Sequence, residues 1–264
     1  MFYYAGKLNH TNTIELDITD STWLYGANIF TTMRVYAHSL EHPLTNYQKH
    51  LERLKSSIKS FNWKQPNWQT IEQETQDLCQ HFPVIRLTLF PDGRELIIGR
   101  NLPDQLIEKQ TKGIKGLVCL DSQLQRVLPD HKTGNYLTPW LALQQAKQQG
   151  YQEAILTGIE QEWLETSTGN LWGYKDGVWY TPDLAVGILP GVARRMIMEK
   201  AKGEFNLQQN HWTTEFINQL EAIAYSNSVV EIIPFKTIVY GNQTIELDVN
   251  HSAYKSIKNL YQNF

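Results

Sequence analysis

The sequence predicts a mixed α/β fold in two domains, on three observations. Amphipathic helical stretches alternate with short runs of β-branched and aromatic residues along both halves of the chain. A polar stretch without clear periodicity, RNLPDQLIEKQTKG at residues 100–113, separates the halves. The chain has 264 residues, 41% of them hydrophobic and 19% charged, which suits two buried cores and excludes a disordered chain. The expected division is a smaller α/β domain over residues 1–105, a linker over 106–115 and a larger domain over 116–264, with a site between the domains.

In chain order, FYYAGKLN reads as a short strand and a turn, and IFTTMRVY as a second strand. NYQKHLERLKSSIKSF is an amphipathic helix: Leu51, Leu54, Ile58 and Phe61 recur at helical spacing, opposite Lys49, Glu52, Lys55 and Lys59. WQTIEQETQDLCQHF is a second helix and feeds the strand VIRLTLF, where Ile85, Leu87 and Leu89 alternate with Val84, Arg86 and Thr88. GLVCL opens the second half. It continues through a helix ending near Gly150, strands EAILTG and EWLETS, and a hairpin through YKDGVWY. The helix VARRMIMEKAKG follows, then a late apolar strand with a polar interruption, EAIAYSNSVVEIIPF. No internal repeat is present.

Composition removes several function classes. A net charge of -3 leaves no basic field for a nucleic-acid backbone. No apolar run approaches the roughly 18 residues of a membrane span. The start MFYYAGKLNHTNTIEL lacks a basic n-region and a long apolar h-region, so the expected compartment is the cytoplasm. Two cysteines, Cys79 and Cys119, cannot form a disulfide framework or a zinc site alone and read as small buried hydrophobes.

Five stretches carry candidate chemistry, and each has a bland reading beside it. In HKTGNY, Lys132 sits where the chain bends ahead of a helix; most such lysines are simply solvated. In LETSTGNLW, Glu165 lies among apolar and hydroxyl-bearing residues, as a buried carboxylate needing strong donors or as an exposed strand end. ILPGVARR places Pro190-Gly191 before a helix start, which suits a phosphate and is also a common way to begin a helix. In YSNSVVEIIPF, Ser226, Asn227 and Ser228 are phosphate ligands or a local turn. Arg53 of HLERL borders the apolar face of its helix, or is a surface arginine. Together, a lysine, a downstream acid, a phosphate-ready helix start and a Ser/Asn strand describe what pyridoxal phosphate requires.

The ordered blocks LYGANIFTTMRVY, HLERL, HKTGNYL, LETSTGNLW, GILPGVARR and YSNSVVEIIPF resemble the fold-type IV pyridoxal-phosphate enzymes, a group of branched-chain and D-amino-acid aminotransferases and 4-amino-4-deoxychorismate lyase. The resemblance covers nearly the whole chain. It implies a larger C-terminal domain built as a pseudo-barrel, and pyridoxal 5'-phosphate as cofactor. By the same resemblance Lys132 is the Schiff-base lysine and proton shuttle, and Glu165 pairs with the ring nitrogen. Arg53, the Val192 and Ala193 amides, Asn227 and Ser228 hold the phosphate, and Tyr136 lies near the ring. Many members carry threonine where Ala193 stands, Asp-Gly where Ala27-Asn28 stands and arginine where Ser21 stands. The first difference removes one phosphate contact, and the other two bear on substrate choice.

Two reactions share the opening proton removal: release of pyruvate and 4-aminobenzoate from 4-amino-4-deoxychorismate, or transamination of branched-chain or D-amino acids. FTTMRV and the short K-x-x-N spacing resemble the lyase, whereas Glu231 in VVEIIPF resembles the aminotransferases. The expectation is the lyase. A cofactor-binding protein without turnover is the reading from another class. Carboxylate-bearing substrates call for cations, for which Arg86 is the first candidate, with Arg34 and Tyr25 beside it and Arg94 and Arg100 as weaker ones. His131 reads as a hydrogen-bonded structural histidine. The expected partners are a small amino substrate and a second copy of the chain in a homodimer, with no nucleic acid and no membrane.

Overall fold

The computed structural model describes residues 1–262. The chain divides into two compact units, Met1–Pro103 with His131–Asn135, and Asp104–Asp130 with Tyr136 onward.

The smaller unit starts with β1 (Phe2–Tyr4) and β2 (Lys7–Asn9), joined at Ala5-Gly6, where both residues have positive φ, the geometry that matches a tight hairpin to strand twist. The short helix α1 (Ser21–Tyr25) is capped by the Asp20 carboxylate on the Thr22 N–H and ends at left-handed Gly26. Then come β3 (Ile29–Arg34), α2 (Tyr47–Phe61), α3 (Trp68–Cys79), β4 (Val84–Leu89) and β5 (Glu95–Arg100). The five strands form one antiparallel sheet in the order β2-β1-β5-β4-β3. The periodic residues of α2, Leu51, Leu54 and Ile58, meet Ile71 and Leu78 of α3 and Met33, Ile85, Leu87 and Ile97 of the sheet in one core.

β3 lies at the sheet's end, so its outer edge has backbone groups to satisfy. Residues 131–135 satisfy them. The Phe30 N–H donates to the Lys132 carbonyl at 2.8 Å, the Gly134 N–H donates to the Asn28 carbonyl at 2.6 Å, and Ile29 bridges Thr133. The lysine turn, expected in the C-terminal domain by its place in the sequence, is therefore part of the smaller unit.

The larger unit opens with α4 (Leu106–Lys112), where a linker was expected. This helix buries Leu106 and leaves Ile107 77% exposed, so it has too short an apolar face to show periodicity. Gln110 anchors it by donating to the Val230 carbonyl at 2.9 Å. There follow β6 (Ile114–Cys119), α5 (Leu137–Gln148), β7 (Glu153–Thr157), β8 (Trp163–Thr166), β9 (Asn170–Lys175) and β10 (Val178–Pro182). The chain continues through α6 (Val192–Lys200), β11 (Asn206–Asn210), α7 (Thr214–Ile217), β12 (Ala222–Asn227), β13 (Glu231–Tyr240), β14 (Gln243–Glu246) and α8 (Ala253–Asn259). The apolar segment expected as one interrupted strand is two antiparallel strands, β12 and β13, because Ser228–Val230 reverse the chain and pair Asn227 with Glu231.

These strands form one sheet ordered β11-β10-β9-β12-β13-β6-β7-β8, with β14 on β13. β8 closes one end of that order and β9 stands third from the other, yet only residues 167–169 join them. So short a connection requires the sheet to curl back on itself, the pseudo-barrel expected. Trp163, Trp172, Trp179 and Trp212 are fully buried in this unit. Among the described residues no helix is long and apolar enough to cross a membrane, and no group of three His, Cys, Asp or Glu could hold a metal.

Two acids are buried in the smaller unit. Glu74 of α3 is 6% exposed and Glu95 of β5 is 7% exposed. Burial, then the neighbouring Glu95, pushes the Glu74 carboxyl up to about 7. Because the folded value lies above the unfolded one, Glu74 favours the fold at acidic pH, and that contribution is lost as pH rises from 4.5 through about 7. We expect Glu74→Gln to match wild type in melting temperature at pH 5 and to exceed it by about 3 °C at pH 8 in thermal unfolding followed by circular dichroism. An equal shift at both pH values would contradict the assignment.

Candidate active site

In the smaller unit the turn at 131–135 delivers Lys132 to the end of β3. Its ammonium lies 4.6 Å from the centroid of the Phe30 ring, and the Arg86 guanidinium lies 3.6 Å from the same centroid. A buried aromatic face thus gathers two cations. Gly134 lies tight against the Asn28 carboxamide, which would have to move to admit a Cβ. His131 Nδ1 lies 2.9 Å from Ser57 Oγ, and its ring packs 4.6 Å from Phe61, so it braces the turn as its structural reading expects.

Arg53 is half-buried, and its Nη2 donates to Thr31 Oγ1 at 2.7 Å. The same oxygen lies 2.5 Å from His50 Nδ1. Arginine can only donate, so the Thr31 oxygen accepts from Arg53 and its remaining hydrogen-bonding capacity meets His50 Nδ1. Complete burial, then the charges of Arg53 and Lys132, hold His50 well below the usual histidine range. Neither Thr31 nor His50 stood out in the sequence, although His50 shares the HLERL motif with Arg53.

The other substrate-side residues separate. Arg34 stacks 4.8 Å from the Tyr36 ring, and Tyr25 stands 76% exposed on α1. Arg94, a weaker candidate for which a structural role was equally expected, is tied to Asp20 at 2.5 Å, Asp92 at 2.5 Å and the Tyr4 hydroxyl. Arg100 is exposed at the end of β5.

In the larger unit Glu165 is 4% exposed, which overturns its reading as an exposed strand end. One carboxylate oxygen accepts the Leu189 N–H at 3.2 Å, and the other lies 3.6 Å from Arg126 Nε. Arg126 escaped the sequence reading because it sits in an irregular stretch; its guanidinium is also 5.6 Å from the Tyr136 ring. The Tyr136 hydroxyl donates to the Ser167 carbonyl at 3.0 Å.

Val192 and Ala193 are the first residues of α6, 4% and 5% exposed. The first helical bond runs from the Arg195 N–H to the Gly191 carbonyl at 2.9 Å, so by position the amides of 192–194 have no acceptor within the helix. The N-cap Gly191 brings no side chain, and a Cβ there would strike Asn170 Oδ1, whose Nδ2 holds the Leu189 carbonyl at 2.9 Å. Ser226 is fully buried and accepts from Trp172 Nε1 at 2.8 Å. The Asn227 carboxamide builds the turn: it accepts from the Val229 and Val230 N–H groups at 2.9 and 3.0 Å and donates to the Thr168 carbonyl at 3.2 Å. Ser228 follows at the half-buried tip.

Residues 28–238 match the family described as Amino-transferase class IV. The chain belongs to the class IV aminotransferase family. It is an enzyme of that family and has its fold. It is 27% identical over 273 residues to an aminodeoxychorismate lyase of Bacillus subtilis, covering 93% of this chain and 90% of that one. It is 24% identical over 264 residues to a branched-chain-amino-acid aminotransferase of Escherichia coli, covering 89% and 84%. The solved structure of 4-amino-4-deoxychorismate lyase from Pseudomonas aeruginosa superposes with a TM-score of 0.83 at 20% identity, covering 100% and 99%. Both activities thus occur among its relatives.

Gly169 closes the turn after Glu165 with no room for a side chain, since a Cβ would strike the Ser226 carbonyl oxygen. Backbone on both sides must shift to relieve that contact. Gly169→Ala is expected to cost about 1–3 kcal/mol, read from urea unfolding. An unchanged midpoint would mean the turn is not held as described.

Proposed function

We propose that this chain is a pyridoxal-phosphate-dependent 4-amino-4-deoxychorismate lyase. The observation that carries the cofactor reading is Glu165, a buried carboxylate beside Arg126 and the Leu189 amide in the strand that the family resemblance assigns to the ring nitrogen. The donor set fits the cofactor. The larger unit offers an acid for the ring nitrogen and, at α6, a helix start of unused amides behind a glycine for a phosphate. The smaller unit offers the Lys132 amine and the Arg53 guanidinium.

When bound, pyridoxal phosphate supplies an electron sink for bonds at the carbon bearing the substrate amine. Glu165 would hold a proton at the ring nitrogen, and Tyr136 would lie beside the ring. The amides of Val192 and Ala193, with Ser228 and Arg53, would hold the phosphate, while Asn227 shapes the turn that carries Ser228. Lys132 Nζ would hold the cofactor and then take the proton from the amine-bearing ring carbon of the substrate. The C–O bond at the neighbouring ring carbon then breaks, the side chain leaves as pyruvate, and the ring becomes aromatic 4-aminobenzoate. No second substrate or water is needed. Arg86, stacked on Phe30, meets a substrate carboxylate, with Arg34 and Tyr25 of the same unit as further candidates.

A second reading, a class IV aminotransferase, is favoured by Glu231. It holds a left-handed backbone at φ 59° and accepts from Gln110 at 3.2 Å, three residues after Ser228. The first experiment incubates the cofactor-loaded protein with 4-amino-4-deoxychorismate and no keto acid. Equal release of pyruvate and 4-aminobenzoate, abolished in Lys132→Ala, is the expected result. No release from a loaded protein that then exchanges amino groups between amino and keto acids would replace the lyase by the aminotransferase. A loaded protein whose absorption responds to no amine would leave only cofactor binding without turnover.

The assembly proposed is a homodimer. Trp23 and Tyr25 of α1 are 73% and 76% exposed, and Leu137 and Trp140 of α5 are 58% and 52% exposed, large apolar areas for a lone chain. Sedimentation equilibrium should give twice the chain's 30.6 kDa. The free buried thiols of Cys79 and Cys119 fit a reducing, cytoplasmic setting.

A further inference from the structure

Glu153 opens β7 with 2% of its surface exposed, a place where acids are rare unless firmly held. One carboxylate oxygen accepts the Ala154 N–H at 3.0 Å and the Ser167 hydroxyl, and the other accepts the Thr168 hydroxyl at 2.6 Å. All three donors are neutral, and burial pushes the carboxyl's pKa up while these donors pull it back down. A carboxyl held this way costs more to bury than an apolar group of the same volume, so stability alone gives no reason for it.

What the carboxylate does hold is the reversal after Glu165. The Ser167 N–H donates to the Ala154 carbonyl at 2.9 Å, and the Ser167 carbonyl receives the Tyr136 hydroxyl. The Thr168 carbonyl receives Asn227 Nδ2. Thr166 closes the turn from the other side, its Oγ1 accepting the Gly169 N–H at 2.9 Å. Both residues at the tip thus have their hydroxyls fixed on one carboxylate and their carbonyls turned to Tyr136 and Asn227.

We propose that Glu153 is a positioning residue: by taking the Ser167 and Thr168 hydroxyls it fixes the turn that sets the Glu165 carboxylate and the acceptors of Tyr136 and Asn227. Its consequence for the cofactor rests on the function proposed above; its hold on the turn does not.

Glu153→Gln tests this, since it keeps the volume but replaces one acceptor oxygen with an NH2 group. In the chain without cofactor, amide hydrogen exchange of a peptide spanning 163–171 is expected to quicken about tenfold while the melting temperature stays within a few degrees of wild type. In the loaded protein, pyridoxal phosphate should bind roughly tenfold more weakly. The pH midpoint of its absorption should also move, which a loss of stability alone would not produce. The effects of Thr168→Val and Glu153→Gln should be strongly non-additive, because both remove one interaction.

Exchange, affinity and absorption midpoint all equal to wild type would overturn the proposal, as would losses that only track the melting temperature. Should Glu153→Gln fail to fold, Thr168→Val decides: faster exchange confined to 163–171 supports the proposal, and unchanged exchange overturns it. A wild-type protein that takes up no pyridoxal phosphate sinks the function proposed above, and the exchange comparison still settles whether Glu153 holds the turn.

Discussion

The turn from Thr166 to Gly169 is the constraint on which the larger unit depends, because it joins the end strand of the sheet to a strand far from it in sheet order. With three residues to span that connection, the sheet must curl. Gly169 lies against the Ser226 carbonyl, and Thr166, Ser167 and Thr168 spend their hydroxyls on holding the reversal. Glu165 and Asn170 emerge at its two ends, both reaching Leu189 on the approach to α6. The acid and the helix start are therefore coupled through backbone that cannot move independently.

In the smaller unit an edge strand plays the corresponding part. β3 has no neighbour strand on one side, and residues 131–135 take that place. A lysine on an ordinary surface loop would spread over many rotamers. Here its backbone is hydrogen-bonded to Phe30 and its ammonium rests on the Phe30 ring. The Arg53–Thr31–His50 chain extends the same order inward. The Thr31 hydroxyl bridges the Arg53 guanidinium and a fully buried imidazole whose pKa is held well below the usual histidine range.

Family membership and reaction sit at different levels. The cofactor-facing residues of the resemblance, Lys132, Glu165, Arg53 and the α6 start, are all present and ordered, and they suit any member. Choice between elimination and amino transfer rests on what happens after a shared proton removal. The residues whose types bear on it are Arg86 on Phe30 and the Ala27-Asn28 pair in the smaller unit, and Glu231 in the larger. This is why relatives with either activity match over nearly the whole chain at similar identity.

The sequence by itself determined the elements with strong period: the apolar face of α2, the strands β3 and β4, the hairpin at Asp176-Gly177 and the helix starting at Val192. It also marked the motif residues, because Lys132, Glu165 and Pro190-Gly191 stand in combinations that local structure does not require. Three kinds of feature were decided only by tertiary structure. α4 was hidden because one buried residue makes no period. Arg126 and Glu153 were hidden because a charged side chain reads the same in sequence whether solvated or buried, and only partners 39 and 14 residues away, Glu165 and Ser167, give each a reason to be inside. The lysine turn joined the smaller unit because an unpaired strand edge was there to receive it. Periodicity is a local property, legible along the chain; hydrogen-bond partners for buried charges and open edges come from distant residues, and the fold alone brings them together.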